Sequence, residues 1–122
     1  SPKDILGIRH YVAMRTPLRD ESPIVRYSTR VVRATRPEEA TDGFIRGLVL
    51  YGASPRASIS LAKAARAYSF IKGDDAVLPE HVQAMAYPVL RHRIILTHEA
   101  ESRGVDADEV IRDVLERVPR FE

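Results

Sequence analysis

Proline stands at positions 2, 17, 23, 37, 55, 79, 88 and 119 of this 122-residue sequence, and that spacing allows only short helices. A proline inside a helix removes one backbone donor and pushes against the preceding turn, whereas at the first helical position both problems vanish. Three of the prolines follow a serine, Ser1-Pro2, Ser22-Pro23 and Ser54-Pro55. A hydroxyl cap followed by proline is a helix-start signal.

Between these marks the apolar residues recur at helical spacing. Lys3 to Met14 reads as a helix through Ile5, Leu6, Ile8, Tyr11 and Val12, ended by Pro17. A second runs from Ser22-Pro23 through Ile24, Tyr27, Val31 and Ala34, stopping before Pro37. Residues 37–53 form a connector broken by Asp42-Gly43, Gly47 and Gly52, with a trace of extended chain over 44–51. An alanine-rich helix over about 55–72 follows, carrying Ala57, Leu61, Ala64, Ala65 and Tyr68 on one face and ending at Gly73. Pro79 opens a short helix to Met85, and Pro88 predicts a break. A longer helix is expected from Pro88 to Arg103, stopped by Gly104. The last helix begins at Asp106, paired with Glu109 as in a capping box, and buries Val110, Ile111, Val114, Leu115 and Val118.

The expectation is a single all-α domain over residues 1–122, a small bundle of five or six helices. With 44% hydrophobic and 30% charged residues, the chain can bury one core without disulfides or metal. It has no cysteine, which removes thiolate chemistry and agrees with a cytoplasmic setting. No apolar run reaches the ~20 residues of a membrane span. Charge is uneven: residues 1–66 hold 12 Lys/Arg against 6 Asp/Glu, and residues 67–122 hold 7 against 11.

Few residues suggest chemistry. Arg56 lies in the first turn of its helix, where the macrodipole disfavours a cation but attracts phosphate. A guanidinium there makes sense if an anion docks beside it, since arginine binds phosphate oxygens in pairs. An exposed arginine pointing into water is the competing reading. Arg26, Arg30 and Arg33 fall at i, i+4 and i+7 on the second helix. That stripe could meet nucleic acid or an acidic protein, or could be a solvated helix face. No aromatic ladder accompanies it to support single-strand binding. His10, His81, His92 and His98 have no ligand spacing for a metal. Asp106, Asp108 and Glu109 are explained by capping, and Ser54 reads as a cap before a nucleophile. No G-x-x-x-x-G-K-[ST] phosphate loop occurs, and no apolar strand ends in paired acids to hold magnesium. The chain alone is not expected to hydrolyse ATP.

The run Tyr51-Gly52-Ala53-Ser54-Pro55-Arg56-Ala57 resembles the Gly-Ala-Ser-Pro-Arg-Ala signature in the lid of MoxR-family AAA+ ATPases. Ala34-Thr35-Arg36 is similar to the family's helix-ending Ala-Thr-Arg, and Leu61 to Ala67 to its alanine-rich helix. Gly73 to Val82 resembles its Gly-Arg-Asp-Tyr-Val-x-Pro-Glu-Asp-Val segment, and Val89-Leu90-Arg91-His92-Arg93 its Val-Leu-x-His-Arg. Together these cover about residues 22 to 118, in the family's order. The turn departs from the pattern, with Asp74, Ala76, Leu78 and His81 where the family has Arg, Tyr, a capping Thr and an acid.

The resemblance implies an AAA+ C-terminal lid whose catalysis belongs to a preceding core domain. That core carries the phosphate loop and the Mg-binding acids, and is not in this sequence. It implies that Arg56 is the sensor-2 residue contacting the phosphates of ATP, with Ser54 and Pro55 setting the helix start that aims it. It also implies a homo-oligomeric, usually hexameric, chaperone-like ring with neighbouring subunits as partners, often alongside proteins bearing von Willebrand factor A domains. A stand-alone nucleic-acid- or protein-binding module using Arg26, Arg30 and Arg33 is the alternative.

Overall fold

The computed structural model describes residues 22–40 and 43–121; the helix expected over residues 3–14 lies outside them. The described chain contains six α-helices and a two-stranded ribbon, as expected for a small, mostly helical domain. In order these are α1 (Pro23–Ala34), a 3-10 turn (Pro37–Glu39), α2 (Gly43–Leu48) and β1 (Val49–Tyr51). Then follow α3 (Arg56–Lys72), α4 (Pro79–Leu90), β2 (Ile95–Leu96), α5 (His98–Ser102) and α6 (Ala107–Arg117).

Helix α3 is the axis of the bundle and packs chiefly against α4 and α1. Its buried face is Ala57, Ser58, Leu61, Ala62, Ala65 and Ser69. Apart from Leu61 these are small side chains, so the neighbouring helices can approach closely. From α1, Tyr27, Val31 and Val32 enter the core, and from α4, Val82, Ala86 and Leu90. The third layer is α6, through Val110, Ile111 and Val114.

The helix ends follow the sequence closely in two places. Gly73 adopts φ 78°, and the N–H groups of Gly73 and Asp74 return to the carbonyls of Phe70 and Ser69 at 2.9 and 3.0 Å. This closes α3 in a left-handed cap that glycine adopts at no steric cost. Asp106 caps α6, its Oδ1 accepting the Glu109 N–H at 2.9 Å.

Elsewhere the expectations need correction. Pro88 does not break the chain: α4 runs through it to Leu90. Val82, Ala86 and Leu90 are all fully buried, so one apolar stripe continues across the proline and outweighs the missing hydrogen bond. Ala84, whose carbonyl loses its partner, is exposed and can give that oxygen to water.

The single helix expected over 88–103 is absent. The chain turns at residues 91–93, forms β2, and restarts at α5 under a Thr97 side-chain cap. Ile95 and Leu96 pair with β1 in antiparallel fashion, Val49 opposite Leu96 and Tyr51 opposite Ile95, with an irregularity between. Thr97 strengthens the junction, its N–H bonding to the Leu48 carbonyl at 3.0 Å and its hydroxyl to the Gly47 carbonyl at 2.9 Å. The connector is likewise more ordered than expected: residues 43–48 are helical, and only 49–51 are extended.

His81 has a structural role that its sequence context did not suggest. It is buried at the start of α4, and its Nδ1 accepts the Leu78 N–H at 2.8 Å. A carboxylate or amide three residues into a helix ordinarily performs this task. Here an imidazole does, packed edge-on to Tyr68 with ring centroids 6.0 Å apart.

Candidate functional site

Arg56 is the first residue of α3 and is exposed. Buried alanines lie on either side of it, Ala53 and Ala57, so the backbone is anchored while the side chain faces outward. Pro55 has helical dihedrals, φ −56° and ψ −30°. The Ala57 and Ser58 N–H groups donate to the carbonyls of Ser54 and Pro55 at 2.9 and 3.1 Å. The helix start is therefore made by backbone and proline geometry. This corrects the expected hydroxyl cap: Ser54 is exposed and no side chain caps α3. The same holds for α1, where Ser22 is the N-cap residue but supplies no side-chain cap.

The first turn of α3 contains no acidic residue. Among the described residues, Arg56 forms no hydrogen bond or ion pair. Its charge is available to an incoming anion, and the helix N-terminus beside it adds partial positive charge.

The basic stripe on α1 is in a different condition. The Arg33 Nε and Nη2 groups both donate to Glu39 Oε1, at 3.1 and 2.8 Å. That bond holds the Glu39 carboxyl below its ordinary range and raises the guanidinium in turn. Arg36 donates from Nε to Glu38 Oε1 at 3.0 Å. Arg30 lies 5.6 Å from the Tyr27 ring centroid and donates to the Pro119 carbonyl at 3.2 Å. Much of the stripe is thus engaged within the fold, and Glu38 and Glu39 offset its charge. Arg30, Arg33 and Arg36 differ from Arg56 in each having a partner within the described residues.

The structure also joins features that the sequence kept apart. Arg26, Arg30, Arg33 and Arg36 line a groove of about 700 Å3 whose opposite wall is Pro55, Ser58 and Ile59 of the α3 start. Arg56 itself is not among the residues lining it. A closer junction lies behind: the Thr35 hydroxyl accepts the Ala53 N–H at 3.0 Å, and Gly52 packs directly on the backbone of Thr35 and Arg36. Sequence reasoning marked both segments but gave Thr35 and Gly52 no role, since their contact spans a gap that periodicity cannot bridge. His92 and Arg93 sit exposed in the turn after α4. No group of three or more metal-ligating side chains occurs among the described residues. No helix among them is long and apolar enough to cross a membrane.

Residues 46–114 match the AAA lid domain family. Similarity extends to Chaperone MoxR1 of Mycobacterium tuberculosis, 41% identical over 96 residues that cover 78% of this chain and 26% of that protein. Protein MoxR of Paracoccus denitrificans is 45% identical over 56 residues, 46% of this chain and 16% of that one. Among solved structures, a protein from Cytophaga hutchinsonii assigned as an ATPase superimposes with a TM-score of 0.75 at 38% identity. The match covers 84% of this chain and 31% of that one. The chain therefore corresponds to less than a third of the length of these relatives.

Proposed function

Because the chain belongs to the AAA lid domain family and is the helical lid of a MoxR-type AAA+ ATPase, we propose that it works joined to a nucleotide-binding core, with Arg56 as its sensor-2 residue. In this reading the core holds ATP and Mg, and cleaves the nucleotide. Arg56 reaches the terminal phosphates from the lid, so that their presence or loss sets the lid's position. Ser54 and Pro55 serve by fixing the helix start from which Arg56 extends. The setting we propose is a cytoplasmic, hexameric, chaperone-like ring, with neighbouring subunits and a protein bearing a von Willebrand factor A domain as partners.

The observation that carries this reading is the uncommitted state of Arg56. It is exposed on the first turn of α3 and has no carboxylate partner among the described residues. Arg30 and Arg33 of α1, and Arg36 just beyond it, instead each have a partner at the surface, in the Pro119 carbonyl, Glu39 and Glu38. A guanidinium held beside a helix N-terminus gains from an anion that satisfies both.

The test uses the ATPase that joins this lid to its core. Arg56→Ala should weaken nucleotide-dependent turnover by about tenfold or more, the scale of a lost charge-assisted hydrogen bond. Arg56→Lys should recover only part of it, because lysine keeps the charge but not the paired donors. Unchanged turnover and unchanged nucleotide affinity in Arg56→Ala would sink the assignment.

A further inference from the structure

We infer that Thr35, at the end of α1, is the residue that positions Arg56. The inference rests on the sensor reading of Arg56 for its functional consequence, though its structural half stands apart from it. Thr35 is fully buried and uses its hydroxyl in both directions. It donates to the Val32 carbonyl at 2.6 Å and accepts from the Ala53 N–H at 3.0 Å. The first bond fixes the hydroxyl against α1, and the second holds the strand-to-helix segment three residues before Arg56. Ala53 is itself buried, so without that oxygen its N–H would be an unsatisfied donor away from water.

Gly52 completes the junction. A Cβ there would lie 2.6 Å from the Thr35 carbonyl oxygen and 2.7 Å from the Arg36 Cα. Both are backbone atoms that cannot swing aside. The two chain segments thus meet backbone to backbone, with only a glycine thin enough to allow it. From that contact the chain passes Ala53, Ser54 and Pro55 and enters α3. The N-terminus of α3 has no side-chain cap of its own, so its placement comes from the Thr35 hydroxyl and from the burial of Ala53 and Ala57.

This geometry gives Thr35 a job that packing alone would not. The end of α1, the 51–55 segment and the first turn of α3 are tied into one rigid corner, with Arg56 projecting from it. A phosphate pulling on Arg56 therefore pulls on α1 as well, and loss of the tie leaves Arg56 aimed loosely. Misplacement by a fraction of an ångström is enough to weaken a paired guanidinium contact.

Two measurements test this. In the 122-residue chain, amide hydrogen exchange at Ala53 should be protected like the core, well above Ser54. Thr35→Val should abolish that protection, and Thr35→Ser, which keeps the hydroxyl, should retain it. Gly52→Ala should open the same corner from the other side. Fast exchange at Ala53 in the unaltered chain, or full protection in Thr35→Val, overturns the positioning role whatever Arg56 does.

In the ATPase that joins the lid to its core, binding of a fluorescent ATP analogue is measured for Thr35→Val, Arg56→Ala and the double variant. Thr35→Val should weaken binding by about tenfold, Thr35→Ser should rescue it, and Thr35→Val should add nothing once Arg56 is alanine. An equal loss in both backgrounds would mean that Thr35 acts through general stability and overturns the inference. If Arg56→Ala leaves both binding and turnover unchanged, the sensor reading fails, and the exchange result decides the positioning claim by itself.

Discussion

His81 holds Asp74 across the α3–α4 turn, its Nε2 lying 2.7 Å from Asp74 Oδ2. Because Nδ1 is occupied in accepting the Leu78 N–H, the ring proton sits on Nε2 and is donated to the carboxylate. One buried imidazole thus caps α4 and ties down the turn that leads into it. The turn has a second tie, the Ser69 hydroxyl donating to the Ala76 carbonyl at 2.8 Å. Residues 74 and 81 are among those at which the sequence departs from the MoxR pattern, and the structure pairs their side chains.

His81→Ala should accordingly lower stability by about 1–3 kcal/mol, the cost of removing a buried, hydrogen-bonded ring and leaving the Leu78 N–H without its partner. His81→Gln should recover part of this, since its amide oxygen can accept from Leu78 while its NH2 donates to Asp74. Denaturant unfolding of the two variants checks both; equal losses would mean that the hydrogen bonds contribute little.

Leu61 and Ile71 lie on the same helix and should behave oppositely. Leu61 is 0% exposed and Ile71 is 78% exposed. Leu61→Ala should cost about 2–5 kcal/mol through lost burial and the cavity left among small neighbours. Ile71→Ala should stay within about 0.5 kcal/mol. Comparison of the two melting curves tests whether α3 faces the core as described.

Pro88→Ala should stabilise the protein. Alanine would restore the hydrogen bond to the Ala84 carbonyl in the last turn of α4, worth up to about 3 kcal/mol by helix propensity. Greater freedom of the unfolded chain offsets this by about 0.4–1 kcal/mol. A raised melting temperature is the expected result, and a lowered one would mean that the proline ring contributes packing.

Acid should weaken the α4–α6 junction in a defined way. Arg91 donates to both oxygens of Asp108 at 2.7 and 3.1 Å, and this bond holds the Asp108 carboxyl below its usual value. A depressed folded-state value means the contribution is complete above the ordinary carboxylate range and is lost as pH falls through the folded value. Glu39, held down by Arg33, has the same sign. Asp108→Asn and Glu39→Gln should each flatten the fall of melting temperature below about pH 4. Both pairs are exposed, so added salt should diminish the effect.

Local signals carried much of the fold. Pro23, Pro55 and Pro79 mark helix starts, Gly73 and Asp106 mark ends and caps, and the buried face of α6 follows the 3.6-residue spacing. That of α3 does so in part, with Ser58, Ala62 and Ser69 buried beside Ala57, Leu61 and Ala65 while Ala64 and Tyr68 are half-buried. These are properties of a residue and its neighbours a few places away, so the order of the chain contains them. The motif around Arg56 was legible for the same reason, being seven consecutive residues.

What the tertiary structure decided depends on residues far apart in the chain. Pro88 stays inside α4 because Val82, Ala86 and Leu90 need one continuous face against the core. Residues 95–96 become strand because β1, over forty residues earlier, offers its edge. Arg30, Arg33 and Arg36 find surface partners in Pro119, Tyr27, Glu39 and Glu38, which no periodicity foretells. Thr35 and Gly52 acquire meaning only where α1 ends against the approach to α3. The sequence named Arg56 as the residue to watch, and the packed fold determined what holds it in place, because periodicity is a short-range property and a corner between two helices is not.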